Sequence, residues 1–228
     1  MNAISDRIRI AVANNLRAYR GIVNAWERSE ERHRDAEFRF RCRALFLKHL
    51  KGPRILDVGC GLGFDSLAFA SSGLKVIATD IVTEFLDRIK TKKGGRCVAL
   101  ATMDMTLPCF ARASFNGIFA FASFLHVPGE AALSTLSGFA KMLVPEGILF
   151  LHHAASRQGV SEYVIDNLLH GKESVSAFCH SEEEMTFLLE SAGFRVVALH
   201  HDRIERKTSA LSKRYGLETY QIIAGKNE

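Results

Sequence analysis

The sequence predicts a single α/β domain with a doubly wound sheet, because short apolar segments alternate with helical patterns from residue 53 onward. A chain of 228 residues with 47% hydrophobic content is also large enough for one domain with a sizeable core. Strands are predicted at 54–59, 75–80, 97–102, 115–121, 147–153, 195–202 and 219–225. Helices are predicted at 63–72, 83–91, 130–143 and 181–192. The last helix is expected to begin with a capping box of Ser181 and Glu184.

Two amphipathic helices are predicted before the first strand. Apolar residues recur every three or four positions from Ile4 to Trp26, and a second helix is expected from Asp35, as its N-cap, to Leu50. Residues 1–50 contain 11 Lys or Arg and 6 Asp or Glu, a net charge of 11 − 6 = +5, whereas the remainder contains 19 of each. This basic segment has two interpretations: a solvated helix face, or a rim that attracts an anionic acceptor or nucleic acid.

A glycine-rich turn follows the first predicted strand. Glycines stand at alternate positions, Gly59, Gly61 and Gly63, two residues after Asp57. Glycine permits a positive φ and lets a ligand approach the backbone closely, which is typical of a nucleotide-binding turn. The dinucleotide pattern would place its third glycine at position 64, which is Phe64 here. A nucleotide-like ligand is therefore expected, and a pyrophosphate-binding turn is disfavoured.

The pattern Asp-x-Gly-x-Gly-x-Gly at 57–63 resembles motif I of the class I S-adenosylmethionine-dependent methyltransferases. The resemblance continues through 75–80, which ends in an acidic residue, and through Asp104 after the third strand. Residues 115–127, ending in Leu-His-Val, resemble the fourth strand of the small-molecule branch, which includes quinone-biosynthesis-like enzymes. Leu-Val-Pro-Glu-Gly at 143–147 resembles the family's Leu-Lys-Pro-Gly-Gly turn, with Glu replacing one Gly. Together these segments cover roughly residues 19 to 225.

The resemblance implies a Rossmann-like, seven-stranded sheet with the strand order 3-2-1-4-5-7-6 and an antiparallel last strand. It implies one methyltransferase domain over residues 1–228, with a core at 53–226. Residues 1–50 would form a helical lid segment over the cofactor cleft. The segments 155–180 and 203–218 would be variable insertions on the acceptor side.

The resemblance also implies S-adenosylmethionine as the cofactor and S-adenosylhomocysteine as the product. Asp80 would accept hydrogen bonds from the ribose hydroxyls, Asp57 would meet the methionyl end, and Asp104 would accept from the adenine amino group. The remaining implied cofactor residues are Gly59, Gly61, Gly63, Ile81, Met105 and Ala122. The alternative is that a carboxylate at the end of a strand only caps the next helix.

On the acceptor side, Tyr19 and Trp26 resemble the aromatic pair of the family's N-terminal segment. His126 follows strand four and is the candidate for proton handling, since histidine titrates near neutral pH. The alternative is that His126 only positions the acceptor or shapes the pocket. His152 and His153 are expected to end strand five with side chains on opposite faces, and His153 is taken as the one facing the acceptor.

The predicted function is transfer of a methyl group to an O, N, S or C atom of a small-molecule acceptor by in-line displacement. The alternatives are methylation of RNA or protein, and an inactive nucleotide-binding or partner-binding module with the same fold. No Asn/Asp-Pro-Pro-Tyr motif follows strand four, which weakens a planar amino acceptor. An anionic acceptor and nucleic acid stay open, and the sequence does not indicate the oligomeric state.

Further expectations come from what the sequence lacks. No apolar run approaches the ~18 residues that a membrane span needs, and the first ten residues lack the apolar core of a signal peptide. The protein is therefore predicted to be cytoplasmic and not bound to a membrane. The five scattered cysteines contain no Cys-x-x-Cys pair, so reduced thiols and no metal site are expected.

Overall fold

The computed structural model describes residues 3–32, 36–201 and 214–227. Seven strands form one sheet and two form a separate hairpin within these ranges. The strands are β1 Arg54–Val58, β2 Lys75–Asp80, β3 Val98–Thr102, β4 Phe115–Phe121, β5 Leu143–Ser156, β6 Glu162–Ile165, β7 Val175–Phe178, β8 Phe194–His201 and β9 Leu217–Lys226. The α-helices are α1 Ala3–Arg32, α2 Ala36–His49, α3 Phe64–Ser71, α4 Thr83–Thr91, α5 Gly129–Met142 and α6 Glu182–Ser191.

The main sheet has the order β3-β2-β1-β4-β5-β9-β8. Its first five strands are parallel, and β9 runs antiparallel to both β5 and β8. Because β6 and β7 pair only with each other, β8 and β9 are the sixth and seventh strands of the main sheet. The predicted order 3-2-1-4-5-7-6 with an antiparallel last strand is therefore confirmed.

Both faces of the sheet are covered, which explains why its strands are nearly continuous apolar runs. On one face, Phe46 of α2 and Phe69 of α3 pack with Ile55 and Phe119. On the other face, residues of α5 and α6 pack against the sheet, among them Phe139 and Met185. The chain crosses between the faces where β1 pairs with β4, and ligands bind at such a switch point in open α/β sheets.

The helices agree with the predicted periodicity, including α1, which extends over 30 residues. The capping box of α6 is confirmed: the Glu184 backbone N–H donates to Ser181 Oγ at 3.1 Å, and the Ser181 N–H donates to Glu184 Oε2 at 2.7 Å. Asp35, the predicted N-cap of α2, lies outside the described residues.

Strand β5 is longer than the predicted 147–153. Phe115 pairs with Leu143 and Gly117 pairs with Ile148, so β5 accommodates extra residues opposite β4 through an irregularity in the register. Within this irregularity Glu146 has a φ of 58°, a left-handed conformation that suits glycine. At the other end, β5 continues to Ser156, where it pairs with Leu217 of β9.

The predicted acceptor-side insertion at 155–180 contains the β6–β7 hairpin, and β7 packs near α1 through Asn15. Residues 203–213 of the other predicted insertion, 203–218, lie outside the described residues. Among the helices of the described ranges, we find none with the length and apolar character needed to span a bilayer.

Candidate active site

One cavity lies at the carboxyl ends of β1, β2 and β4, where the glycine-rich turn meets α1. The structure brings most of the predicted site residues into its lining: Tyr19, Trp26, Asp57, Gly59, Gly61, Asp80, Ile81, Asp104, Met105, Ala122 and His126. Parallel strands end at the same edge of a sheet, so side chains that are distant in sequence converge there. The lining is largely apolar, with carboxylates on one side and a Tyr–His pair on the other.

Asp80, the last residue of β2, holds the glycine-rich turn through its carboxylate. Its Oδ2 accepts a hydrogen bond from the Gly61 backbone N–H and its Oδ1 accepts one from the Val82 N–H, each at 2.9 Å. Burial raises the pKa of Asp80 to about 6, and these backbone hydrogen bonds oppose the increase. Asp80 therefore organises the turn and the start of α4 while it also lines the cavity.

Asp57 lies on β1 and is almost fully buried. Its carboxylate accepts a hydrogen bond from Ser66 Oγ of α3, which fixes the side chain beneath the turn. Burial and the neighbouring Asp65 raise the pKa of Asp57 to about 7.

The three predicted glycines serve different purposes, although all have a positive φ. A Cβ at Gly63 would lie 2.5 Å from Ile89 Cδ1, and a Cβ at Gly59 would collide with Ser123. A Cβ at Gly61 would meet no protein atom within 4 Å. Gly61 thus leaves open space at the cavity, whereas Gly63 does not line it and is needed for packing.

Asp104 follows β3 and is engaged locally. Its Oδ1 accepts hydrogen bonds from the Thr106 N–H at 2.9 Å and from Thr106 Oγ1 at 2.8 Å. Ala122, at the end of β4, has a φ of 51°, which is unusual for a residue with a Cβ. Strained backbone of this kind clusters at ligand sites.

Arg39, from the basic segment that had two interpretations, and Asp65 of α3 also line the cavity. Arg39 and Arg43 are four residues apart on α2, so they project from one face and both form ion pairs with Asp65. The Arg39 guanidinium lies 4.4 Å from the centre of the Phe121 ring and also lines the cavity. The four-residue spacing of the two arginines is visible in the sequence, but no sequence pattern indicates that Asp65 is their partner.

The predicted acceptor side of the cavity is formed by α1 and the turn after β4. The hydroxyl of Tyr19 lies 2.9 Å from His126 Nε2, and His126 Nδ1 lies 3.1 Å from the Ser176 carbonyl oxygen. The Tyr19 ring packs edge-on against Trp26, with ring centres 5.4 Å apart. Burial lowers the pKa of His126 to about 4, and burial together with Asp80 raises the pKa of Tyr19.

His153 does not line the cavity, which departs from the prediction. Its Nε2 lies 3.0 Å from His180 Nδ1, and its ring is buried against Phe124 and Tyr220. His152 points to the opposite face, where its ring stacks on Phe121. The two histidine side chains therefore point to opposite faces of the sheet, as expected. Because β5 continues to Ser156, however, both histidines lie within a covered strand rather than at its end.

Most of the basic side chains described in α1 and α2 form ion pairs. Those that lie within 4 Å of a carboxylate are Arg7, Arg9, Arg17, Arg20, Arg39, Arg41 and Arg43. This favours the solvated-face interpretation of the basic segment over a continuous cationic surface.

All five cysteines lie within the described parts of the chain, where they are free thiols. We find no cluster of three His, Cys, Asp or Glu side chains suited to a metal ion in those parts.

Comparison with solved structures identifies the fold as that of the class I S-adenosylmethionine-dependent methyltransferases. A methyltransferase of this type from Methanosarcina mazei superposes with a TM-score of 0.67 at 21% identity, covering 80% of this chain and 97% of that one. The glycopeptide N-methyltransferase MtfA, solved with S-adenosylmethionine, gives a TM-score of 0.64 at 14% identity, covering 83% of this chain and 87% of that one.

Sequence comparison relates part of the chain to a known family. Residues 55–147, which are less than half of the chain, match the family described as methyltransferase domain. The O-methyltransferase rstn1 of Aspergillus nomiae is 27% identical over 183 residues, and the match covers 74% of this chain and 75% of rstn1. The ubiquinone biosynthesis O-methyltransferase of Idiomarina loihiensis is 33% identical over 108 residues, which is 44% of this chain and 42% of that protein. The second match thus spans less than half of that relative. The predicted class I methyltransferase fold is confirmed.

Proposed function

We propose that the protein transfers a methyl group from S-adenosylmethionine to an O, N, S or C atom of a small-molecule acceptor, releasing S-adenosylhomocysteine. The observation that carries the proposal is the open space beside Gly61, bounded by Asp57 and Asp80 on the sheet and closed by Tyr19 and His126. A turn without a Cβ, beside strand-end carboxylates, suits a nucleoside ligand that contacts the backbone.

The cavity residues fit this cofactor in chemical type. We assign Asp80 to the ribose hydroxyls, because its carboxylate lies at the end of β2 beside the turn. Asp57 is assigned to the methionyl end and Asp104 to the adenine amino group, with Ile81 and Met105 packing on the ring. Arg39 adds a cationic group to the same lining.

S-Adenosylmethionine supplies a methyl group on a positively charged sulfonium. An in-line displacement disperses that charge, so the protein gains most by aligning the two reactants and excluding water. The apolar part of the lining, which includes Phe85, Met103 and Phe121, suits this task. Tyr19 and Trp26 of α1 close the same cavity, which supports a lid role for the N-terminal segment.

We favour a small-molecule acceptor over RNA or protein. One support is that the similar proteins named above include a ubiquinone biosynthesis O-methyltransferase. The other is that the arginines of α1 and α2 are largely paired with carboxylates. A nucleic-acid partner would instead require unpaired basic groups that neutralise phosphates. The cytoplasmic location stays a prediction from the sequence.

Isothermal titration calorimetry with S-adenosylhomocysteine tests the cofactor assignment. We expect micromolar binding that falls by about 100-fold in Asp80→Ala, since hydrogen bonds to a charged group contribute about 1.5–3 kcal/mol each. Asp87→Ala is the control, because Asp87 is an exposed carboxylate of α4 that pairs with Lys90 and does not line the cavity. Absence of binding to the unmodified protein would contradict the proposal, as would tighter binding of a nicotinamide dinucleotide.

A second assay separates a methyltransferase from an inactive module that only binds the cofactor. S-Adenosylmethionine labelled in its methyl group is incubated with the protein and a panel of phenols, amines, thiols and RNA. We expect label in a small molecule. Transfer only to RNA, with steep salt dependence, would support the alternative acceptor, and cofactor binding without any transfer would support the inactive module.

A further inference from the structure

A chain of hydrogen bonds joins three separate segments at the acceptor side of the cavity. It runs from the Tyr19 hydroxyl to His126 Nε2 over 2.9 Å, and from His126 Nδ1 to the Ser176 carbonyl oxygen over 3.1 Å. Tyr19 belongs to α1, His126 to the turn after β4, and Ser176 to β7. The direction in which each hydrogen bond is donated determines what the cavity presents to a ligand.

The Ser176 carbonyl oxygen determines which ring nitrogen of His126 carries the hydrogen. A carbonyl oxygen can only accept a hydrogen bond, so Nδ1 at 3.1 Å must carry the hydrogen. Asn15 supports this assignment because both ends of its amide bind the backbone of the same residue, Ser176. Asn15 Oδ1 accepts from the Ser176 N–H at 2.8 Å, and its Nδ2 donates to the Ser176 oxygen at 2.9 Å. The Asn15 Nδ2 atom lies farther from His126 Nδ1, at 3.5 Å.

The direction of the remaining hydrogen bond follows. With the hydrogen of neutral His126 on Nδ1, Nε2 offers only a lone pair, so the Tyr19 hydroxyl must donate to it. The Tyr19 oxygen then has only lone pairs left for the cavity that it lines. Because burial lowers the pKa of His126 to about 4 and raises that of Tyr19, neither group changes its charge near neutral pH.

We propose that Tyr19 selects an acceptor molecule that presents an O–H or N–H hydrogen to the cavity. The Tyr19 oxygen accepts that hydrogen bond, and His126 is a positioning residue that acts through Tyr19. A compound in which the hydrogen is replaced by a methyl group is rejected, because it leaves the lone pairs of the Tyr19 oxygen without a donor in the cavity. This inference rests on the proposed function, and it narrows the acceptor class to hydrogen-bond donors.

Long-range ¹⁵N–¹H NMR of the imidazole nitrogens tests the direction of the chain. The spectra are recorded at pH 7 with and without S-adenosylhomocysteine, and the His126 signals are assigned by their loss in His126→Gln. We expect the Nδ1–H tautomer, and a change of the Nε2 signal but not the Nδ1 signal in Tyr19→Phe. An Nε2–H tautomer would mean that the Tyr19 hydrogen points into the cavity, and it would overturn the proposal.

Binding of phenol and anisole to the complex with S-adenosylhomocysteine tests the selection itself. We expect phenol to bind about tenfold more tightly than anisole, as one buried hydrogen bond allows, and Tyr19→Phe to abolish the preference. His126→Gln should retain it, because the Gln amide can accept from Tyr19 and donate to Ser176, whereas His126→Leu should lose it. Tyr163→Phe, in β6 and outside the cavity lining, is the control.

Absence of a preference for phenol in the unmodified protein, or its persistence in Tyr19→Phe, would overturn the inference. Loss of the preference in His126→Gln would assign His126 more than a positioning role and would also contradict it. These are equilibrium measurements, so they do not depend on methyl transfer. A failure of the transfer assay is therefore distinguishable from a failure of this inference.

Discussion

The two sides of the cavity differ in how their residues are brought together. On the cofactor side, Asp57, Asp80 and the glycine-rich turn lie within a segment of 24 residues, and each carboxylate is at or next to the end of a strand. On the acceptor side, Asn15 and Ser176 are 161 residues apart and Tyr19 and His126 are 107 apart. The first side is built by local sequence, the second by tertiary packing. The first side should therefore respond to backbone changes, and the second to changes of single polar atoms.

The largest expected effect comes from Gly61, at the centre of the cofactor side. We predict that Gly61→Ala lowers the affinity for S-adenosylhomocysteine by about 100-fold or more, because the new Cβ would occupy space that the protein itself leaves open. The cost to folding should be only about 1 kcal/mol, from a left-handed residue that gains a Cβ. Calorimetry and urea denaturation measure the two effects.

Gly73→Ala is the matched control for this substitution. Gly73 also has a positive φ, and its Cβ would meet no atom within 4 Å, but it does not line the cavity. It should show the same loss of stability with unchanged affinity for S-adenosylhomocysteine. Equal affinities of the two variants would show that the turn does not face the cofactor.

The sequence predicted the cofactor side because its signals are local. Apolar runs indicated β1 and β2, and the residues at their ends are set by the strands themselves. Tyr19 and His126 were predicted only as separate candidates, and their hydrogen bond requires α1 to cross the sheet edge. No local pattern relates Asn15 to Ser176, so this contact could not be foreseen.

His153 shows that prediction from local sequence patterns is weakest at the end of a strand. The prediction placed it near a strand end, where a side chain can reach an acceptor. The end of β5 depends on pairing with β9, which the apolar pattern of β5 alone does not report. An extension by three residues, from 153 to Ser156, converted an exposed terminus into buried strand around His153.

The two sides should also differ in their response to pH. The pKa of Asp80 is raised to about 6 and that of Asp57 to about 7, whereas His126, with a pKa of about 4, is neutral above pH 5. We predict that the affinity for S-adenosylhomocysteine rises about tenfold from pH 5 to pH 7.5, as Asp80 becomes ionised to accept hydrogen bonds. Calorimetry across this range measures the change.

Stability of the protein without ligand should change in the opposite direction. A raised carboxyl pKa means that the folded chain binds more protons than the unfolded chain, so this contribution is present at low pH. It is fully present below the ordinary carboxyl pKa of 3.8 and is lost as the pH rises from there through about 6 to 7, so the free energy of unfolding should decrease over that whole interval. In the binding measurements, Asp80→Asn should flatten the pH dependence of the affinity for S-adenosylhomocysteine. An unchanged pH dependence in that variant would assign the titration to another group.

The smallest expected effect lies at the irregular start of β5, where the chain departs from the family's glycine. Glu146 has a φ of 58°, and its exposed side chain pairs with Lys51 at 3.1 Å. We predict that Glu146→Gly raises the free energy of unfolding by a few tenths to about 1 kcal/mol, because relief of the left-handed conformation outweighs a weak surface ion pair. Glu146→Ala removes the same ion pair but retains the strain, so it should be neutral or slightly destabilising in urea denaturation. Equal losses of stability in both variants would show that the ion pair matters more than the backbone conformation at this turn. Backbone strain would then not be the reason for the glycine in the family's turn.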